Sequence, residues 1–211
     1  MSRSDEQSNK SNSLGSHQPA NDDTPHWFGP KGKASKGQGH PVMFGFNDVQ
    51  NFGPFPEGGG YPRRFVKKAY EILGVTDPAR VLHLCSGSMK TGVRVDIRRE
   101  TNPDVVCDCR KTPFPDESFD WIMADPPYTE EYAENLYGTG NHYPKPGQIL
   151  REASRLLRPG GRVGILHFQV PLVRRPLRLI GVKGTTTGCG YAIRAWSVLE
   201  KEDGSKPAND N

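Results

Sequence analysis

The sequence predicts a three-layer α/β fold built on a mainly parallel sheet. Three observations carry this reading. Short apolar runs alternate with segments whose apolar residues recur at helical spacing. Turn formers punctuate them, Gly74 after one helical segment and Arg158-Pro159-Gly160-Gly161 after another. Four successive runs lead into Gly87, Asp96, Asp108 and Asp125. In such sheets ligands sit beyond the carboxyl ends of the strands, near the point where strand order reverses.

The elements follow in order. Phe65, Val66, Ala69, Tyr70 and Leu73 trace one helical face that Gly74 stops. Residues 80–84 (RVLHL) form a short buried strand, ending in the small-residue turn Cys85-Ser86-Gly87-Ser88. Residues 92–96 (GVRVD) and 104–107 give the second and third strands, and 119–124 (FDWIMA) the fourth. Ile149, Leu150, Ala153, Leu156 and Leu157 trace another helical face before a fifth strand at 162–168. Residues 177–182 and 192–199 complete the sheet. Strands alternating with helices imply crossover helices on both faces.

Composition divides the chain. Residues 1–40 hold no Val, Ile or Tyr, so they cannot bury enough apolar surface to offset ordering and read as a disordered tail. Residues 41–61 mix Phe with Gly and Pro, as an irregular arm lying on the domain would. The catalytic domain is expected over 62–202, with a second disordered tail over 203–211. No run approaches the ~20 apolar residues of a membrane span, and MSRSDEQSNK has no apolar signal region. Four cysteines (Cys85, Cys107, Cys109, Cys189) fit a reduced, cytoplasmic setting. The Cys107-Asp108-Cys109 spacing is too tight for a zinc pair and lacks a matching second pair, so no metal is expected.

Charge is uneven as well. Between Asn135 and Leu199 there are ten Lys/Arg against one acid, Glu152. A one-signed face of that kind suits a polyanion. Arg174, Arg175, Arg178 and Lys183 are the candidate nucleic-acid contacts.

The motifs VLHLCSGS, VDIRRE, DCRKTPFPDESFDWIMADPPY and LREASRLLRPGGRVGILHF stand in fixed order along the chain. In order and spacing they resemble the class I S-adenosylmethionine-dependent methyltransferases. Within that superfamily, Asp125-Pro126-Pro127-Tyr128 resembles the DPPY motif of amino-methyltransferases, such as the DNA N6-adenine and N4-cytosine enzymes. The resemblance covers roughly residues 62–200 and implies a Rossmann-like three-layer sandwich, a mainly parallel seven-stranded sheet with an antiparallel late strand. S-adenosyl-L-methionine is the implied cofactor, held by Leu84, Cys85, Ser86, Gly87, Asp96, Asp108, Cys109 and Asp125. A strand-to-helix turn at Gly87 would let backbone approach the cofactor's methionine end, because Gly has no Cβ. The family carries three alternate glycines and a preceding acid here; this chain keeps Gly87, with Cys85 and Met89 at the outer glycines and His83 at the acid.

Asp96 is placed for the ribose hydroxyls and Asp108 for the adenine amine. The resemblance assigns the chemistry to Asp125, Pro126, Pro127 and Tyr128. An exocyclic amine is a poor nucleophile because its lone pair is delocalised into the ring. The Asp125 carboxylate and Pro126 carbonyl would accept its N–H bonds and turn the lone pair toward the methyl donor, while Tyr128 stacks on the base. Residues 129–147, with Tyr132, Tyr137, His142 and Tyr143, could close over a flipped base. The expected partner is nucleic acid, DNA before RNA. RNA stays open because no stretch is long enough for a separate target-recognition domain. A binding module that kept the fold and lost the cofactor also stays open, given His83, Cys85 and Met89.

Overall fold

The computed structural model describes residues 50–53, 59–62, 64–139, 142–188 and 191–204. The expected tail over 1–40, most of that over 203–211, residues 41–49 and 54–58 of the arm, and Cys189 lie outside the described residues.

Eight strands form one sheet in the order β1-β7-β8-β6-β5-β2-β3-β4. They are β1 (Gln50–Asn51), β2 (Leu82–Leu84), β3 (Val93–Asp96), β4 (Val105–Val106), β5 (Phe119–Ala124), β6 (Leu157–His167), β7 (Leu177–Thr186) and β8 (Arg194–Lys201). The helices are α1 (Phe65–Leu73), α2 (Glu130–Tyr137) and α3 (Pro146–Leu156). All pairings are parallel except those of β8, which runs antiparallel to both β6 and β7. The fold is thus the expected Rossmann-like sandwich with one antiparallel late strand. The eighth strand, β1, comes from the arm read as irregular: Gln50 and Asn51 pair with Thr185 and Thr186. Phe52 then buries its ring edge-on against Phe65, centroids 5.3 Å apart.

The period of two along each strand sorts side chains between two cores. Leu82, Leu84, Ile122, Ala124, Val163 and Ile165 pack under α3, through Ile149, Ala153 and Leu156. Met123, Leu166, Trp196 and Val198 pack on the other face under Phe65, Ala69 and Leu73 of α1. Gly74 ends α1 in the left-handed region (φ 73°), its N–H reaching the carbonyls of Glu71 and Tyr70. No described helix is long and apolar enough to cross a membrane.

Four connections between parallel strands, β2 to β3, β3 to β4, β4 to β5 and β6 to β7, lack the α-helices that the alternation implies. The chain passes from β2 to its parallel neighbour β3 through residues 85–92 alone, so the expected strand-to-helix turn at Gly87 is a strand-to-loop turn. Parallel neighbours ordinarily need a crossover of about a dozen residues. The shorter path closes because Gly92 lies directly on β2. Its φ is +76°, and a Cβ there would stand 2.4 Å from the Val81 carbonyl oxygen. Residues 168–176 likewise cross from β6 to β7 without a helix.

Gly92→Ala should therefore cost about 2–5 kcal/mol, combining left-handed strain with overpacking. Gly147→Ala, in α3 with nothing within 4 Å of the added Cβ, should be neutral or stabilising by up to about 1 kcal/mol. Urea midpoints of the two variants check this, and equal midpoints would contradict the close approach at Gly92.

Candidate active site

Strand order reverses between β2 and β5, and the site lies at their carboxyl ends. Leu84 pairs with Ala124, and the Asp125 N–H reaches the Leu84 carbonyl at 3.4 Å. Gly87, Asp96, Asp108, Cys109, Asp125 and Pro127 all line one cleft there, with Cys85 beside them. These residues come from four separated stretches of sequence. Leu84 and Ser86 do not line it. Leu84 is a core side chain beneath α3, and the buried Ser86 donates its N–H to the Val95 carbonyl at 2.9 Å.

Asp96 organises the turn from the end of β3. One carboxylate oxygen accepts from the Gly87 N–H at 2.8 Å; the other accepts from the Arg98 N–H at 3.0 Å and its Nε at 3.3 Å. Asp108, beyond β4, accepts from the Arg110 N–H and Nε at 2.9 Å. Burial alone would raise the Asp108 pKa, but the Arg110 hydrogen bonds reverse this and leave it lowered. Cys85 takes a positive φ of 55° and points its thiol at the Cys109 sulfur, 3.4 Å away. Cys85, Cys107 and Cys109 are free thiols. No group of three or more metal-ligating side chains comes together among the described residues.

His83, at the position where the family carries an acid, belongs to the core instead. Its side chain points to the α1 face, where the Tyr70 hydroxyl meets Nε2 at 3.0 Å, and burial lowers its pKa to about 4.

Asp125 follows β5 directly and lines the cleft. Desolvation raises its pKa to about 7, against the lowering effects of the Tyr128 hydroxyl, which donates to it at 2.9 Å, and of Arg194. The Tyr128 ring stands 4.5 Å from Phe168 and edge-on to Tyr132 and His167. The Arg194 guanidinium lies 5.2 Å from the Tyr128 ring centre and 5.4 Å from that of Phe168. Tyr143 donates to the Tyr128 carbonyl at 3.2 Å. Phe168, His167 and Arg194 were not read from the sequence as site residues. Phe168 closes the run RVGILHF, so the strand-end rule could have flagged it. Arg194 becomes visible only through register: β8 runs antiparallel and pairs Ala195 with His167, which brings its first residue to the carboxyl end of β6.

Tyr137, at the end of α2, covers the cleft under the Arg98 guanidinium, 4.5 Å from its ring centre. It also abuts Gly59, whose added Cβ would meet the Tyr137 hydroxyl at 3.2 Å. Gly59 and Gly60 in turn lie on Gly87, 3.0 Å from where its Cβ would be, and the Ser88 hydroxyl donates to the Gly59 carbonyl at 2.8 Å. The cleft is consequently narrow, about 40 Å³.

The residues fit the expected cofactor by their chemistry. Three carboxylates suit a cationic, hydroxyl-bearing nucleoside, and the two guanidiniums beside them are already committed to Asp96 and Asp108. The Tyr61 hydroxyl is buried without a partner, near enough to Asp125 and Cys85 for their charges to raise its pKa beyond the effect of burial. It is an orphaned donor beside the cleft floor.

The candidate nucleic-acid residues separate. Arg178 pairs with Glu200 at 2.7 Å and Arg175 with Glu202 at 3.3 Å. Lys183 lies on β7, paired with Trp196 in the ladder. Arg174 and Arg175 line a second groove, beside α3.

Residues 58–165, just over half the chain, match the family model described as a methyltransferase domain. No curated protein sequence matches the chain significantly. Among solved structures it is similar to TrmN from Thermus thermophilus, at 25% identity and a TM-score of 0.47 over 64% of this chain and 47% of that one. The chain thus spans about half the length of that relative. An S-adenosylmethionine-dependent methyltransferase from Aquifex aeolicus is 14% identical, with a TM-score of 0.40 over 63% of this chain and 88% of that one. A geranyl diphosphate methyltransferase in complex with S-adenosylmethionine is 12% identical, with a TM-score of 0.40 over 64% and 83%. The matched span runs from the glycine strap at Gly59 through the Asp125 turn into β6, and the chain belongs to this methyltransferase-domain family, with S-adenosylmethionine as its cofactor.

Proposed function

We propose that the chain transfers a methyl group to an exocyclic amine of a nucleic-acid base, adenine N6 or cytosine N4 in DNA. The observation that carries this reading is the Asp125-Pro126-Pro127-Tyr128 turn at the carboxyl end of β5, with the desolvated Asp125 lining the cleft. When bound, S-adenosylmethionine supplies an activated methyl group and makes a metal unnecessary. The protein's task is to orient the amine. The Asp125 carboxylate accepts one N–H, and the Pro126 carbonyl, which accepts no hydrogen bond from the described residues, takes the other. Two acceptors in line turn the amine's lone pair out of conjugation and toward the methyl group. Tyr128, Phe168 and Tyr132 offer the aromatic faces on which an unstacked base rests. Asp96 and Asp108 hold the nucleoside part of the cofactor, ribose and adenine respectively.

Methyl-labelled S-adenosylmethionine, offered with duplex DNA, single-stranded DNA and total RNA, tests the reading when the labelled nucleoside is identified by mass spectrometry. N6-methyladenine or N4-methylcytosine in DNA is expected. Asp125→Ala should cut transfer by about 10²–10³-fold while leaving cofactor affinity nearly intact. Label in RNA alone would move the assignment to an RNA base amine. No transfer and no cofactor binding would leave a binding module. Asp96→Ala, by contrast, should weaken cofactor binding about 10–100-fold by calorimetry, the loss expected for a charged hydrogen-bond acceptor.

The acid limb of transfer follows Asp125. With its pKa raised to about 7, the accepting carboxylate form grows as pH rises through that value, so rates should climb there. Tyr128→Phe removes a hydrogen bond that lowers this pKa, so the limb should move to higher pH. Asp125→Asn accepts without titrating and should flatten the limb at a reduced rate. Linkage runs the opposite way for stability. The folded state keeps the Asp125 proton between about 4 and 7, so this group's contribution is present at low pH and lost as pH rises through that window. Rate and urea-midpoint profiles of the three proteins check both signs.

A further inference from the structure

The basic window between Asn135 and Leu199 is largely neutralised in space. Arg155 pairs with Glu152 and Asp116, Arg158 with Asp120, Arg162 and Arg178 with Glu200, and Arg175 with Glu202. Lys145, Arg151 and Arg174 are left without an ion pair among the described residues, and all three line one groove. Its walls are α3 on one side and residues 172–177 on the other, and no acidic side chain lines it. The groove measures about 550 Å³. The β6-to-β7 crossover that forms one wall carries no helix to cover the sheet there. Leu172 stands 77% exposed on its rim.

Placement gives the groove its meaning. Pro144 lines the catalytic cleft, and Lys145, the next residue, opens the groove at the N-terminus of α3. Arg151 follows six residues on, about 9 Å along the helix. We infer that this groove takes the phosphodiester backbone of the single DNA strand whose unpaired target base enters the cleft. Unpaired cations, the absence of lining carboxylates and continuity with the cleft all favour a polyanion running away from the catalytic turn. The inference rests on the nucleic-acid reading above. It names the path of the strand and two residues, Lys145 and Arg151, outside the contacts expected from sequence.

Fluorescence anisotropy with a labelled 20-nucleotide single-stranded DNA of mixed sequence tests it, across a salt series and at saturating S-adenosylmethionine. A strand of the same sequence in RNA forms a second arm. The Arg151→Ala/Arg174→Ala double variant should bind DNA at least tenfold more weakly at low salt. Its log–log salt slope should fall by about 1.4, two phosphates at roughly 0.7 each. Arg151→Lys/Arg174→Lys should restore the slope, since a phosphate reads charge, and cofactor affinity should be unchanged in all variants. Wild-type and alanine variants with the same affinity and slope would overturn the groove while leaving the methyl-transfer reading standing. Wild type that binds RNA but not DNA would overturn the choice of strand, and no binding of either would overturn both readings.

Discussion

The site depends on one desolvated carboxylate. Asp125 sits where β2 and β5 part, its backbone tied to Leu84 and its side chain held by the Tyr128 hydroxyl. That position raises its pKa to about 7. A carboxyl group costs free energy to ionise there, and the Tyr128 and Arg194 contacts recover only part of it. On the proposed reading, what the fold gains is an acceptor fixed in direction before the substrate amine arrives. Asp96 plays the corresponding part for the other half of the cleft, since the Gly87 turn and Arg98 both hang from its two oxygens.

Much of this was legible in the sequence because strand ends and turn chemistry are local. The α1 face from Phe65 to Leu73, its stop at Gly74 and the β5 run into Asp125 need only residues close in sequence to declare themselves. The convergence of Gly87, Asp96, Asp108 and Asp125 follows from a parallel sheet with its switch point between β2 and β5. What escaped depends on distance. The absent helix after Gly87 turns on Gly92 meeting the Val81 carbonyl, a contact that no periodicity encodes. Arg194 reaches Tyr128 only because β8 is antiparallel.

Charge shows the same limit more sharply. Counted along the chain, the stretch from Asn135 to Leu199 looks like one basic face. In space, acids from outside that stretch (Asp116, Asp120, Glu200 and Glu202) return to pair with it. Exposed pairs of this kind add little stability, yet they offset much of the apparent positive field and leave Lys145, Arg151 and Arg174 together in one groove. His83 is a parallel case. A residue occupying the family's acid position is a neutral core histidine facing Tyr70, because the period of two turns it away from the cleft.

The most direct measurement of the central claim is the titration of Asp125 itself, followed by carbon-13 carboxyl NMR on selectively labelled protein, with Asp125→Asn assigning the resonance. A midpoint near 7, moving upward in Tyr128→Phe, is the result this account predicts. A midpoint in the ordinary aspartate range near 4, unmoved by the loss of the Tyr128 hydroxyl, would contradict it.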